Sequence, residues 1–325
     1  MQTLRLDFHG VRGSVTCDHA AVADDLGRDF EYFLSGGAPD HFRVALRLAQ
    51  PQPPPRRRPC LRTARCAAYD DGLVRRVDYH GAACAELDFR TETARIASQD
   101  PELLRELGYL LVLSRAGFLL DQKGMHRIHA LGAELRGTGL LLLLPCGGGK
   151  SAMCLELLRR SEAKVLSEDT PLLSEDGLMR PFPLRLGLCP GEDVSDVPAA
   201  SLRSMRRREH GEKLLVDLAY YRGRVSGPVR PRLLILGARG AAGSRRASRV
   251  EAVPALLASL VAGVGVPQLL EFMWRTDAAG AAALARIALR RFRAASRLLS
   301  SCSVARLRLG TDRARNLETL ESLVI

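Results

Sequence analysis

Tryptophan occurs once in the 325 residues, and aromatic side chains of all kinds make up only 5%. Sequence-tolerant binding of single-stranded nucleic acid uses several rings as stacking platforms, so nucleic acid is not the expected partner. The net charge of +12 does not reverse this, because the arginines are scattered along the chain rather than gathered on one face. A basic balance equally suits nucleotide phosphates or an acidic protein. Missing too is any CxxC pair or Cys/His set at zinc spacing. Cys17, Cys60, Cys66, Cys84, Cys146, Cys154, Cys189 and Cys302 read as reduced thiols. The first residues do not read as a signal peptide, and no apolar run approaches the roughly 20 residues of a membrane span. These absences argue against a zinc module or a membrane-spanning chain, and the expectation is a soluble, cytoplasmic protein.

The hydrophobic fraction, 46%, and the charged fraction, 26%, are those of an ordinary globular protein with a sizeable core. Residues 1–18 alternate as a strand, and residues 19–35 carry helical spacing. The stretch AQPQPPPRRRPC breaks this as an exposed loop or linker, and its Arg56, Arg57 and Arg58 read as solvated. Strands joined by Asp-Gly and His-Gly turns follow. A long helix is expected from Pro101, with Asp100 as N-cap and Gly124 closing it. MHRIHALGAEL reads as one strand, LLLLLP as a strand buried on both faces, and AKVLSEDTPLL as a short strand ending in acids. PRLLILGAR and VARLRLG read as later strands, and SRVEAVPALLASLVAG, VPQLLEFMWRT and AAGAAALARIALRRFRAASRLLSSC as helices. The order predicts a small N-terminal α/β domain over residues 1–98 and an α/β nucleotide-binding domain over residues 99–325.

One stretch carries most of the chemistry: GTGLLLLLPCGGGKSAMCLELL, residues 137–158. A phosphate-binding loop needs glycines whose amides turn onto phosphate oxygens, a lysine for the terminal phosphates and a hydroxyl for Mg²⁺. It must also hand over to a helix N-terminus, which favours anions. Cys146, Gly147, Gly148, Gly149, Lys150, Ser151 and Ala152 satisfy that order between an apolar strand and an amphipathic helix. The usual pattern has glycine where this chain has Leu144. Glu168 and Asp169 end the next strand, at the carboxyl edge where α/β sheets bind ligands. They are placed to hold metal or to accept a hydroxyl proton. His126 and His129 lie on the strand before the loop, and a tight turn at Gly137–Gly139 would bring His129 beside it.

With these residues together the chain resembles the HPr serine kinase/phosphorylase family, over its catalytic domain. The matching segments are RIHA, GTGLLLLLPCGGGKS, CLELLRR and LSEDT, covering about residues 125 to 175, with the histidine-to-lysine spacing kept. The resemblance implies a P-loop fold of the HPr kinase/PEP carboxykinase-like kind, binding ATP and Mg²⁺. It implies that Lys150 and Ser151 hold the phosphates and metal, that His129 sits near the transferred phosphoryl group, and that Asp169 is the base with Glu168 assisting the metal. The partners implied are nucleotide and a protein, peptide or small-molecule acceptor with a hydroxyl. A homo-oligomer is compatible. The chain departs from the family at Leu144, at Ala130, at Glu168 and at Ala152, where the family has an acid, so phosphorolysis is not expected. Arg206, Arg207, Arg208, Lys213 and Arg239 are candidates for neutralising phosphate.

The expected activity is therefore an ATP-dependent kinase acting on a hydroxyl, serine being the family's acceptor. The alternatives are a non-kinase P-loop NTPase and a degenerate nucleotide-binding scaffold. Against the NTPases stand the absence of an N-K-x-D base-reading motif and of an L-S-G-G-Q-like signature. A motor-type strand ending in Asp-Glu is also missing, since LLILGARG ends in arginine.

Overall fold

The computed structural model describes residues 1–37, 40–207, 211–273 and 275–324, without the side chains of residues 206 and 207. The chain divides into two compact units. The first is Met1–Leu120 with Ser204–Lys213 and Pro267–Ala285; the second is Asp121–Arg203 with Leu214–Val266 and Arg286–Ile325. Both are mixed α/β.

The first unit begins with a hairpin, not the single strand expected from alternation. β1 (Gln2–Phe8) and β2 (Val11–Cys17) pair antiparallel. His9 and Gly10 between them take φ of 52° and 83°, the two positive values that a tight hairpin turn demands. Helix α1 (Ala20–Asp29), β3 (Phe42–Leu48), β4 (Leu61–Arg62), β5 (Ala67–Asp71), β6 (Val74–Asp78), β7 (Ala83–Asp88) and β8 (Thr93–Ser98) follow. The strands form one sheet ordered β1-β2-β3-β8-β7-β6-β5-β4. Residues 51–60 carry neither helix nor strand, as their prolines predict. The turns at Gly72 and His80-Gly81 fall where the sequence signals them. α2 (Pro101–Gln122) opens as expected, with Asp100 Oδ1 accepting from the amides of Glu102 (2.9 Å) and Leu103 (3.3 Å). Phe30 stacks on Tyr109 at 5.3 Å and meets Phe8 edge-on at 5.8 Å, joining α1, α2 and β1 in one aromatic core.

Residues 267–273, expected as a helix, hold only one 3₁₀ turn, Leu270–Phe272. Side chains have taken the backbone groups a helix would use. Ser114 Oγ accepts from Leu269 N (2.7 Å), Arg75 donates to Glu271 O (2.7 Å) and Arg115 to Phe272 O (2.6 Å). Each such bond replaces an intrahelical one, so local propensity loses.

The second unit contains β9 (Met125–Arg127), β10 (Leu131–Leu135), β11 (Thr138–Leu143), α3 (Lys150–Arg160), β12 (Lys164–Ser167), β13 (Leu172–Ser174), β14 (Met179–Arg180) and β15 (Leu186–Leu188). β16 (Leu202–Arg207), β17 (Gly211–Val216), α4 (Leu218–Tyr221), β18 (Pro231–Arg239), β19 (Gly243–Ala247), α5 (Arg249–Leu256), α6 (Ala278–Ser301), β20 (Ser303–Leu309) and α7 (Arg313–Glu321) complete the chain. Its main sheet is ordered β12-β10-β11-β18-β20-β19, with β11 parallel to β18 and β18 to β20. The leucine run is β11, buried on both faces as expected. Leu141 and Leu143 meet α5 and α6 through Leu256 and Leu298. Leu140 and Leu142, of opposite parity, are fully buried on the other face, each stabilising the fold by about 1.5–3 kcal/mol.

The stretch Met125–Leu135 is not one strand. β9 belongs to a separate three-stranded sheet, β14-β13-β9, and the chain breaks at residues 128–130 before β10. In the break, the amides of Ile128, His129 and Ala130 donate to the carbonyls of Pro171 (3.2 Å), Ser259 (3.2 Å) and Asp169 (3.0 Å). Satisfying these donors outside a ladder is what lets His129 leave the strand.

Candidate functional site

Three elements of the second unit converge: the loop between β11 and α3, the end of β12, and the break before β10. In the loop, Gly148 N donates to Pro145 O at 2.9 Å. Gly147 and Gly149 take φ of 72° and 103°, which favours glycine at both. Gly149 is the N-cap of α3, with no side-chain cap and no acid in the first turn. The first amides of the helix are thus left to a ligand or solvent. Pro145, Cys146 and Gly147 are exposed.

Leu144, in the place of the pattern's first glycine, is buried and fits because its neighbours lack side chains. A Cβ on Gly237 would stand 2.5 Å from Leu144 Cδ2, and one on Gly148 3.1 Å from Leu144 Cβ. The bulk missing from β18 makes room for the bulk added to the loop.

Lys150, only 5% exposed, points back into the loop. Its Nζ meets Leu144 O at 2.9 Å, Pro145 O at 3.5 Å, His129 Nε2 at 2.9 Å and Asp169 Oδ1 at 3.7 Å. An ammonium has only protons to offer, so Nε2 of His129 accepts and the ring proton sits on Nδ1. That Nδ1 lies 3.1 Å from Asp169 Oδ1 but out of line for a hydrogen bond, which leaves it buried without an aligned acceptor. Ser151 Oγ donates to Glu168 Oε1 in a short contact. Lys150, His129 and Asp169 thus form one cluster, with Ser151 and Glu168 at its side. Ala152 offers only its backbone amide in the first turn of α3, and Cys146 stands at the exposed loop tip.

Arg239, at the carboxyl end of β18, lies over the same loop: its Nη2 would be 3.0 Å from a Cβ on Gly149. Arg206 and Arg207 have no described side chains and Arg208 lies outside the described residues. Lys213 falls in the first unit. Arg56 and Arg57 line a cavity of about 270 Å³ with Asp71 and Arg76, also in the first unit. Gly265 and Ser259, which touch His129, carry no sequence signal. They come from a segment more than a hundred residues downstream, and glycines are common there.

The donor set fits a magnesium nucleotide. Mg²⁺ is a hard ion held by one or two carboxylates together with substrate phosphates, and Ser151, Glu168 and Asp169 supply hydroxyl and carboxylate oxygens. Among the described residues no group of three or more His, Cys, Asp or Glu converges as a self-sufficient metal cage. No described helix is long and apolar enough to cross a membrane.

No family model matches the chain, and no curated protein matches it. Among solved structures it is similar to the structure of the HPr(Ser) kinase/phosphatase from Coxiella burnetii. The identity is 12% and the TM-score 0.28, over 61% of this chain and 97% of that one. A likeness of that size fixes neither ligand nor activity, so the site's own residues carry the reading.

Proposed function

We propose that this chain is an ATP-dependent kinase that transfers the γ-phosphoryl group to a hydroxyl, serine by preference, of a protein, peptide or small-molecule acceptor. The observation that carries the reading is the meeting of Lys150 with His129 (2.9 Å) and Asp169 (3.7 Å) behind a glycine loop that opens a helix. In this reading the amides of Gly147–Ala152 and the Lys150 ammonium cradle the β- and γ-phosphates. Lys150 must then exchange the carbonyls of Leu144 and Pro145 for phosphate oxygens. Ser151, Glu168 and Asp169 would hold Mg²⁺, which when bound neutralises phosphate charge.

Asp169 accepts the proton of the acceptor hydroxyl as that oxygen bonds to the γ-phosphorus. The bond to the bridging oxygen breaks and ADP leaves with its electron pair. His129 Nδ1, 3.1 Å from Asp169 Oδ1, would donate to that carboxylate once the two come into line, orienting it, and the ring shields the cluster from bulk water. Such a site works by positioning and charge neutralisation. All its residues fall within 99–325, the proposed catalytic domain; residues 1–98 are proposed as an accessory domain.

Titration calorimetry with ATP and Mg²⁺ tests the first half. Lys150→Ala is expected to weaken binding at least about tenfold, the loss of one charge-assisted contact; unchanged affinity rules the loop out. Transfer from γ-labelled ATP into a lysate of the source organism tests the second. Asp169→Asn is expected to slow it about 10²–10⁴-fold, the usual contribution of a general base. Nucleotide binding without any labelled acceptor would favour the degenerate scaffold, and release of free phosphate alone a non-kinase NTPase.

A further inference from the structure

The His129 ring is held by more than the two groups it faces. Its backbone N–H donates to Ser259 O at 3.2 Å, and Ser259 lies in a π-helical turn, Leu257–Val261, that continues α5. Such turns are rare and collect at functional sites. In the loop that follows, Gly263 and Gly265 take φ of 70° and 86°. A Cβ on Gly265 would stand 2.4 Å from Cδ2, 2.6 Å from Nε2 and 2.7 Å from Cγ of His129. Only bare backbone can lie that close to the ring, and Nε2 is the atom that meets Lys150.

The π turn is tied down in its own right. Arg291 Nη1 donates to the carbonyls of Leu260 and Val261, 3.4 Å each. The same guanidinium grips Asp121 through Nε (2.9 Å) and Nη2 (2.5 Å), and Asp121 Oδ1 lies 2.7 Å from His126 Nδ1. Arg291, Asp121 and His126 are all buried. A continuous polar chain therefore runs from His126 to the turn that carries the amide contact of His129.

We infer that Gly265 is a positioning residue for His129, and that the π turn anchored by Arg291 holds Gly265 in place. The glycine backbone presses on the flat of the imidazole and sets its Nε2 edge toward Lys150. Any side chain at position 265 drives the ring away from Lys150 and Asp169. The consequence for turnover rests on the kinase reading; the placement of the ring does not.

The test uses the full chain with ¹³C,¹⁵N-labelled histidine, the His129 ring signals being assigned by their loss in His129→Gln. Gly191→Ala serves as the control for backbone strain, since Gly191 has a like φ of 87° and nothing within 4 Å of its added Cβ. Gly265→Ala is expected to shift the His129 ring signals. It should also lower turnover about 10²-fold while Mg·ATP affinity stays within about threefold, the pattern of a misplaced group rather than lost binding. Gly191→Ala should do neither. Unmoved His129 signals in Gly265→Ala overturn the inference. Should that variant not fold, Arg291→Lys decides in its place. It keeps a cation beside Asp121 but loses the reach to the Leu260 and Val261 carbonyls, so unmoved signals there overturn the inference equally. Shifted signals in a protein whose wild type turns over no ATP would sink the kinase reading and leave the positioning role standing.

Discussion

Arg75 and Arg115 of the first unit and Lys150 of the second are buried alike but matched in opposite ways, Arg291 of the second unit siding with the arginines through its fork on Asp121. In the first, Arg75 donates to both oxygens of Asp70 (2.6 and 2.7 Å) and to Glu271 O. Arg115 donates to both oxygens of Glu92 (2.8 and 2.6 Å) and to Phe272 O. Tyr79 donates to Glu271 Oε1 at 2.7 Å, and burial followed by the Glu271 charge pushes its pKa well up, so it stays a donor. Their forks and oxygens are matched. In the second, Lys150 makes do with two loop carbonyls and an imidazole, and its nearest carboxylate is 3.7 Å away. Buried polar groups are normally satisfied, so an incompletely matched one calls for an explanation. The contrast teaches that the first set serves to hold chain together and the second to exchange partners.

Substitutions should therefore split between stability and binding. The largest stability effect is expected at Arg115. Arg115→Ala leaves Glu92 and the Phe272 carbonyl without their cation, and removing one partner of a buried pair costs about 3–5 kcal/mol. Urea unfolding followed by circular dichroism reads this directly, and a loss below 1 kcal/mol, the scale of an exposed pair, would erase the contrast.

A smaller effect is expected at Asp121. Burial, the largest influence, raises its pKa, but the hydrogen bonds and charges of His126 and Arg291 overcome it and leave the group lowered. Its stabilising contribution is thus fully present above the unfolded value of about 4 and fades as pH falls through the folded value. Urea midpoints measured from pH 6 down to pH 2 should drop more steeply in the wild type than in Asp121→Asn. Parallel curves would remove Asp121 from the account. The smallest stability effect belongs to the site itself. Lys150→Met, which keeps the buried stem, is expected to shift stability by less than about 1 kcal/mol, the range of a volume-conserving swap, while Mg·ATP binding weakens at least about tenfold. A large loss would make Lys150 a structural residue like Arg115.

Local signals were legible wherever one residue type fixes the backbone. Asp100, Pro101 and Gly124 bound α2, Gly72 and Gly81 turn the hairpins, and the glycines before Lys150 open α3. The run of leucines declared a strand covered on both faces. His129, Lys150 and Asp169 were each singled out, and they lie together. What stayed hidden depends on distant partners. Nothing near His129 says that its amide will bond to Ser259 instead of a strand neighbour. Nothing in residues 267–273 says that Arg75, Ser114 and Arg115 will capture their backbone. Leu144 stands where the usual loop has glycine, and its fit was hidden because its compensation, Gly237, is on another strand.

The return of residues 267–285 to the first unit also orders events during synthesis. Until Glu271 and Phe272 have left the ribosome, the guanidiniums of Arg75 and Arg115 lack the carbonyls that complete their coordination. An amino-terminal piece ending before Pro267 would hold two half-matched buried cations. The first unit to be translated is therefore the one that must wait for a late segment to finish it.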